Sequence, residues 1–282
     1  ATNTSALDVD AICSAVGPQG RIDRTVGTHF FSPANVMRLL EVVRGAQTSE
    51  ATVKRALALA TPLRKISVLS ENCFGFIGNR MLAPYAEEGH FLLEEGCNPA
   101  QIDAVLKREV GLSMGLFEML DLAGNDVGWR QRIDRGLAMV PTEEEVEVVE
   151  LKGSRPLVGR YCSLADRLCE AGFYGQKAGQ GWYRYDPTSP RQPLVSAESQ
   201  ALIEEHRGLS GHWTRRDISD EEILERCMFP LVNEAFKILE EGICGSAEEV
   251  DLVYLHGYGF PRHKVPSFFI AFHCFSLPFT SL

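Results

Sequence analysis

A histidine and a glutamate lie in two neighbouring apolar segments near the start of the chain. His29 lies in GTHFFSP and Glu41 in RLLEVV. A carboxylate buried among leucines and valines is costly unless it is paired, and a chain reversal around Pro33 would bring the two side chains together. A histidine held by a carboxylate has a fixed tautomer and a stabilised imidazolium, which predicts general-base chemistry. The alternative is a purely structural role, in which His29 is a core histidine with its hydrogen bonds satisfied and Glu41 is a capped carboxylate.

Three further polar residues occupy positions suited to binding a substrate or cofactor. Asn3 and Ser5 precede an amphipathic helical segment, and N-capping of that helix is their simpler interpretation. Asn79 begins a longer helical segment, where an amide can be a cap, a packing contact or a substrate ligand. This helical segment occurs a second time in the chain, with Glu225 at the position equivalent to Asn79. The segment therefore does not require asparagine there. This difference favours a functional role for Asn79.

Composition and charge argue against several classes of protein. Of the 282 residues, 45% are hydrophobic and 23% are charged, as is typical of globular domains. The net charge of -10 argues against nucleic acid or an anionic membrane as the main partner, because both require clustered Lys and Arg. No segment is long and apolar enough to predict a membrane span. The eight cysteines form no CxxC pair and no Cys/His spacing, so no metal site is predicted.

The first 73 residues alternate between strand-like and helix-like patterns. Apolar, β-rich segments predict three strands, at 25–31, 38–43 and 66–69. Ser49 is a good N-cap for a helix that is interrupted at Pro62. The alternation predicts a mostly parallel sheet with helices on its faces.

Beyond Gly75 the patterns become helical. A long helix is expected to end at Gly96, and Asn98 is expected to cap the next one. Three later segments have other patterns. We predict an acidic surface at 141–150, an ordered loop followed by an aromatic strand at 172–186, and a polar, proline-bearing linker at 187–216.

One helical segment occurs twice in the chain. The first copy begins at Arg80 and the second at Arg226, and the matching positions have the same spacing. They comprise an arginine, a proline, a glutamate and the sequence LEEG: Arg80, Pro84, Glu88 and 93–96 in the first copy; Arg226, Pro230, Glu234 and 239–242 in the second. Shared positions in a duplicate usually encode packing and helix ends, so the repeat predicts architecture and not catalysis.

Five ordered segments together resemble the 3-hydroxyacyl-CoA dehydrogenases. They read NTSALDVDAI, GTHFFSPANVMRLLEVV, CFGFIGNRMLAPY, DLAGNDVGW and GQKAGQGWYRYD. Three more, ISDEEILERC, LVNEAFKILEEG and DLVYLHGYGFPRHK, narrow the resemblance to the long, peroxisomal, bifunctional members that join an enoyl-CoA hydratase to the dehydrogenase. The resemblance extends from residue 1 to about residue 264.

The resemblance implies NAD-dependent oxidation of a 3-hydroxyacyl-CoA to a 3-ketoacyl-CoA in fatty-acid β-oxidation. His29 would be the catalytic base and Glu41 the carboxylate that orients it. Ser5 would hydrogen-bond the substrate near the nicotinamide, with Asn3 beside it on the cofactor side. Asn79 would complete the site.

The implied fold is the C-terminal part of a Rossmann-type α/β domain, followed by a mainly α-helical domain with an internal duplication. We expect the α/β part at 1–73, a first helical domain at 74–186, a linker at 187–216, a second, truncated helical repeat at 217–264 and a divergent tail at 265–282. No GxGxxG loop for the NAD pyrophosphate occurs in the sequence. We therefore expect a C-terminal fragment that is inactive alone.

The family also suggests an assembly and a location. The helical domain of shorter members forms a dimer, and the duplicated unit would fill that interface within one chain, so a monomer is expected. A peroxisomal location is implied by the family alone, because the final Thr280-Ser281-Leu282 is not the Ser-Lys-Leu address.

Two alternatives to this function stay open. The chain could be a non-catalytic helical packing or interaction module, or a dehydrogenase of the same β-hydroxyacid type with another substrate. If His29 and Glu41 lie side by side in a cleft, chemistry is favoured; if they lie on opposite faces, packing is favoured.

Overall fold

A computed structural model describes residues 1–15, 21–138, 160–210 and 215–262. The predicted acidic surface at 141–150 and the predicted tail at 265–282 lie outside the described residues. Within the described ranges, none of the helices is long and apolar enough to cross a bilayer.

A three-stranded sheet forms the first part of the chain, in the order β1 (Gly27–Phe30), β2 (Leu39–Arg44) and β3 (Ile66–Glu71). Helix α2 (Glu50–Ala58) connects β2 to β3, which pair in parallel. The Ser49 side chain accepts a hydrogen bond from the Thr52 amide and caps α2. The three predicted strands and the capped helix are therefore confirmed.

The predicted mostly parallel character of this sheet is wrong for one of its two pairings, because β1 runs antiparallel to β2. Strands joined by a short reversal can pair only antiparallel, whereas a parallel pair needs a longer crossover such as α2. The eight residues between β1 and β2 provide only the reversal that was expected around Pro33.

Helix α1 (Val9–Ala15) precedes the sheet and begins later than the sequence pattern suggested. Asp8 Oδ1 accepts hydrogen bonds from the amides of Asp10 and Ala11, so Asp8 is the cap. Capping of this helix by Asn3 or Ser5 is therefore wrong. The chain before it instead extends along β1, where the Thr28 amide donates to the Thr2 carbonyl at 2.8 Å.

Strand β2 is buried on both faces, which explains its continuous apolar pattern. Leu40 and Val42 pack with Val26, Ala56 and Ala60 on one face. Val43 packs with Val9, Cys13 and Phe76 on the other. Because side chains alternate along a strand, Glu41 lies on the same face as Val43.

Helical elements follow the sheet. They are α3 (Gly78–Glu95), α4 (Pro99–Val105), a π-helical turn (Leu106–Val110), α5 (Leu116–Ala123), α6 (Asn125–Asp134) and α7 (Leu164–Glu170). Asn98 caps α4 by accepting from the Gln101 amide, as predicted. Gly96, just after α3, has a φ of +141°, a conformation that favours glycine and ends the helix where expected.

The segment 187–216, which was predicted as a linker, contains a strand and a helix. Strand β4 (Tyr183–Asp186) pairs antiparallel with β5 (Ser189–Val195), and α8 (Ala197–Ser210) follows. Proline and polar residues are tolerated in β5 because it is an edge strand of a two-stranded sheet. Helices α9 (Asp220–Glu240) and α10 (Ala247–Gly257) complete the described chain.

The described chain divides into two compact units that differ from the predicted contiguous division. Unit 1 contains Ala1–Tyr85, Val110–Ser113 and the chain from Met228 onward. Unit 2 contains Ala86–Glu109 and Met114–Cys227. Helices α3 and α9 each contribute residues to both units, so neither unit is one continuous segment.

Candidate functional site

His29 and Glu41 lie directly opposite each other on β1 and β2 in unit 1. The antiparallel register pairs their Cα atoms, and His29 Nδ1 lies 2.6 Å from Glu41 Oε2. His29 is 6% exposed and Glu41 is fully buried. The two side chains lie side by side on one face of the sheet, so they do not have the arrangement on opposite faces that would favour packing.

The second oxygen of Glu41 is held by the start of α3. Glu41 Oε1 accepts a hydrogen bond from the Gly78 amide at 2.9 Å. Gly78 is the first residue of α3, where backbone amides lack helical partners and the helix dipole favours a negative charge. Both carboxylate oxygens therefore have a donor, which fixes the plane of the carboxylate against the imidazole.

The turn before α3 has an unusual backbone. Gly75 and Phe76 have φ values of +77° and +53°, and the second is a rare conformation for a bulky residue. A Cβ on Gly75 would lie 2.7 Å from the Arg80 amide nitrogen, so only glycine fits. The turn places Phe76 against the His29 ring, with centroids 5.9 Å apart, and aims the Gly78 amide at Glu41.

Asn79 is the second residue of α3, and both ends of its amide are bound. Asn79 Nδ2 donates to the Ser5 carbonyl at 3.1 Å, and Asn79 Oδ1 accepts from the Tyr258 hydroxyl at 2.8 Å. The structure therefore brings Ser5 to Asn79 through its backbone. Asn3 lies at the edge of β1, where its Oδ1 accepts from the Phe30 amide at 2.9 Å.

Several groups around the pair were not predicted. The pair is contacted directly by the Gly78 amide, Phe31 and Phe76. Residues 78 and 79 are in turn contacted by Tyr254 and Tyr258. Tyr258 lies in GYGFPR, which differs from a dinucleotide loop by lacking a third glycine. The sequence signal that could have found Tyr254 and Tyr258 was their spacing, because residues this far apart lie on one face of a helix.

Unit 2 contains a buried cluster that the cysteine and histidine spacing did not indicate. Ligand atoms of Glu94, Cys162 and His206 all lie within 4.8 Å of one another, which is compatible with a metal ion. However, Glu94 Oε2 is 2.5 Å from Arg160 Nη2, and Glu94 Oε1 is 2.9 Å from His206 Nε2. The guanidinium already balances the carboxylate, and burial, followed by the charge of Glu94, raises the pKa of the Cys162 thiol. We interpret the cluster as a structural ion-pair network.

Comparison with known proteins identifies the class. The model of the 3-hydroxyacyl-CoA dehydrogenase NAD-binding domain matches residues 1–73, and the model of the C-terminal domain of the same family matches residues 75–185. Together with the α/β sheet and the following helices, these matches show that the chain belongs to the 3-hydroxyacyl-CoA dehydrogenase family. The first of these models is that of an NAD-binding domain, and the chain combines a Rossmann-like part with a helical part.

Individual relatives refine the comparison. The chain is 48% identical to the peroxisomal bifunctional enzyme of Pongo abelii over 270 residues, which are 96% of this chain and 36% of that protein. The chain thus spans about a third of that relative's length. The dehydrogenase part of multifunctional enzyme 1 from C. elegans is similar in structure, with a TM-score of 0.58 and 25% identity over 99% of this chain and 61% of that one.

A bacterial structure shows the same fold at lower identity. The 3-hydroxybutyryl-CoA dehydrogenase of Escherichia coli K12 has a TM-score of 0.64 and 22% identity, with 92% of this chain and 66% of that chain covered.

Proposed function

We propose that this chain carries the proton-transfer half of an NAD-dependent 3-hydroxyacyl-CoA dehydrogenase. The reaction oxidises a 3-hydroxyacyl-CoA to a 3-ketoacyl-CoA in fatty-acid β-oxidation. His29 is the general base, Glu41 orients it, and Ser5 and Asn79 border the substrate. The observation that carries this proposal is the buried contact of 2.6 Å between His29 Nδ1 and Glu41 Oε2.

The geometry of the pair supports Nε2 of His29 as the nitrogen that would react. Glu41 is an acceptor, so it favours the tautomer with the proton on Nδ1 and leaves Nε2 as the basic nitrogen. Nε2 can then take the proton of a substrate hydroxyl, and the adjacent carboxylate stabilises the imidazolium that forms. Phe31, whose ring centroid is 4.5 Å from that of His29, helps to hold the ring in place.

We propose that two residues of this chain border one part of NAD. When bound, NAD supplies the acceptor for the hydride that leaves the substrate carbon. Asn3 and Ser5 are the residues we assign to the nicotinamide side, because Asn3 contacts Phe30, next to His29, and Ser5 contacts Asn79. The 282 residues contain no GxGxxG sequence to bind the pyrophosphate.

The test compares two polypeptides. One is the 282-residue chain, and the other, called here the extended chain, carries the glycine-loop segment of the family's NAD-binding domain ahead of Ala1. We expect NAD-dependent oxidation of 3-hydroxybutyryl-CoA by the extended chain and none by the 282 residues. Turnover by the shorter chain would contradict the need for the loop, and inactivity of both would contradict the proposed function.

We also propose that the helical unit is duplicated within the chain. In unit 1, Arg80 Nε lies 2.8 Å from Glu234 and Arg80 Nη1 lies 2.7 Å from Glu241. In unit 2, Arg226 Nη2 lies 2.8 Å from Glu88 and Arg226 Nη1 lies 2.7 Å from Glu95. Arg80 of the first copy thus pairs with two glutamates of the second copy. Arg226 of the second copy pairs with the two equivalent glutamates of the first copy. Such reciprocity is what a two-fold related pair produces.

This reciprocity supports a monomeric state, because the two copies satisfy each other's charged groups within one chain. In an isologous dimer of a single helical unit, the same reciprocal ion pairs would form between two chains. A peroxisomal location is proposed from the names of the relatives, and acyl-CoA is proposed as the substrate on the same basis together with the His29–Glu41 pair.

A further inference from the structure

Two tyrosines near the end of α10 lie against the proposed catalytic residues in unit 1. Tyr254 is 4% exposed, and its ring stacks on that of Tyr258 with centroids 4.8 Å apart. The Tyr258 hydroxyl donates to Asn79 Oδ1 at 2.8 Å, and the Tyr254 hydroxyl donates to the Gly78 carbonyl at 3.3 Å. The function proposed above uses neither tyrosine.

The contact with Tyr258 determines how the Asn79 amide is oriented. An asparagine side chain has one acceptor oxygen and two N–H donors, and its two ends can exchange by rotation. The Tyr258 hydroxyl occupies the oxygen, and the Ser5 carbonyl occupies one N–H. One Nδ2 hydrogen therefore remains for the oxygen of a ligand. If the amide rotated, a donor would face the tyrosine and an acceptor would face the Ser5 carbonyl.

The ring of Tyr258 contacts the histidine side of the site as well. It packs edge-on against Phe31 with centroids 5.4 Å apart, and Phe31 packs against His29. A Cβ on Gly78 would lie 2.9 Å from Tyr258 Cε2, so the absence of a side chain there allows the approach. One residue thus touches both Asn79 and the aromatic ring beside the proposed base.

We propose that Tyr258 is a positioning residue of the dehydrogenase, whose hydroxyl holds the Asn79 amide with Nδ2 directed at an oxygen of the acyl-CoA substrate. The inference rests on the proposed function. Tyr258 belongs to the second copy of the predicted repeat, so that copy contributes to the site as well as to the architecture. Burial raises the pKa of Tyr258 well above its usual value, which keeps the hydroxyl protonated as a donor.

The test is a double-mutant cycle in the extended chain, with 3-hydroxybutyryl-CoA as the substrate. Tyr258→Phe removes only the hydroxyl and is expected to lower kcat/KM about tenfold, the value of one well-placed hydrogen bond. In an Asn79→Ala background the same change is expected to have no further effect, because its target is gone. Tyr254→Phe is the matched control, and its effect should be equal in both backgrounds because its hydroxyl bonds to Gly78.

The outcomes separate the inference from the function on which it rests. Equal losses from Tyr258→Phe in both backgrounds would overturn the positioning role and leave the dehydrogenase intact. Absence of turnover by the unmodified extended chain would overturn both. Asn79→Asp is a second probe that keeps the acceptor for Tyr258 and removes the Nδ2 donor, so it should lose as much activity as Asn79→Ala. Thermal unfolding of each variant identifies any loss caused by misfolding.

Discussion

At the scale of single residues, Glu41 is the group that we propose makes His29 usable as a base. A carboxylate on a strand that is buried on both faces is stable only if its charge is compensated. Here one oxygen meets the imidazole and the other meets the Gly78 amide at the start of α3. The same two contacts that satisfy the buried carboxylate also fix the orientation of the imidazole. Stability and proposed chemistry therefore depend on the same atoms.

We predict that Glu41→Gln abolishes most activity of the extended chain without unfolding it. The glutamine Oε1 can still accept from the Gly78 amide, but its Nε2 would donate to His29 Nδ1 and force the imidazole proton onto Nε2. The wrong tautomer cannot accept the substrate proton, so kcat should fall about 10²-fold or more. Steady-state kinetics and circular dichroism measure the two quantities. A folded variant with unchanged kcat would contradict the orienting role.

His90 gives a pH dependence of stability that is independent of the site. It lies in unit 2, where its ring centroid is 5.4 Å from that of Trp182. Burial, and secondarily Arg132, lowers the pKa of His90 from 6.5 to about 3. The folded protein therefore holds a neutral imidazole, while the unfolded chain binds a proton below pH 6.5.

We expect this group's contribution to the free energy of unfolding to be complete above pH 6.5 and to decrease as the pH falls towards 3. The slope should be at most about 1.4 kcal/mol per pH unit. Denaturant unfolding at several pH values, compared between the parent and His90→Leu, isolates the effect. A variant with the same pH slope as the parent would show that His90 is protonated in the folded state.

At the scale of elements, Asp121 anchors the aromatic strand β4. It is fully buried and accepts from the amides of Trp182 and Tyr183 and from the Tyr185 hydroxyl, each at 2.9 Å. A Cβ on Gly181 would lie 2.1 Å from Asp121 Oδ1, which explains the glycine before the strand. Its carboxylate oxygens therefore bind a strand that is distant in sequence.

We predict that Asp121→Asn destabilises the protein by about 2 kcal/mol, because an NH2 group would replace an acceptor that faces two donors. Asp186→Asn, in strand β4 itself, is the matched control. Asp186 is more exposed and accepts from Thr188 through Oδ1, an acceptor that asparagine retains, so little change is expected. Chemical denaturation measures both variants. Equal stability of the two variants would contradict the anchoring role of Asp121.

The elements also show which features a sequence can predict. The strands around His29 and Glu41, the Ser49 and Asn98 caps and the reversal at Pro33 depend on local residue types, and each was predicted. Residues 187–216 were predicted as a linker because β5 has little apolar pattern and gains its structure only by pairing with β4. The roles of Gly78 and Tyr258 depend on contacts between distant segments, which local patterns do not contain.

At the scale of the whole molecule, the reciprocal ion pairs favour a monomer in which both copies of the helical unit belong to one chain. Arg80 and Arg226 are the same residue in the two predicted copies, and each is bound by two glutamates of the other copy. Charged hydrogen bonds of this kind are short and directional, so they specify the pairing as well as stabilise it.

We therefore expect sedimentation equilibrium of the extended chain to give the mass of one polypeptide. Reversing both arginines with Arg80→Glu and Arg226→Glu should destabilise the fold or produce association, because each new carboxylate would face the glutamates that the arginine had bound. Glu88 and Glu241 would also lose the arginine that pairs with each of them. Arg108→Glu is the control, since Arg108 is exposed and its ion pairs with Glu109 and Asp220 contribute little. A stable dimer of the unmodified extended chain would contradict the monomeric proposal.

His29 is the residue that we propose as the base of a 3-hydroxyacyl-CoA dehydrogenase. The most direct measurement is kcat for NAD-dependent oxidation of 3-hydroxybutyryl-CoA by the extended chain and by its His29→Gln variant. We predict a decrease of about 10²-fold to 10⁴-fold, the usual contribution of a general base, with an unchanged fold by circular dichroism. A folded His29→Gln variant that retains the parent kcat would contradict the account.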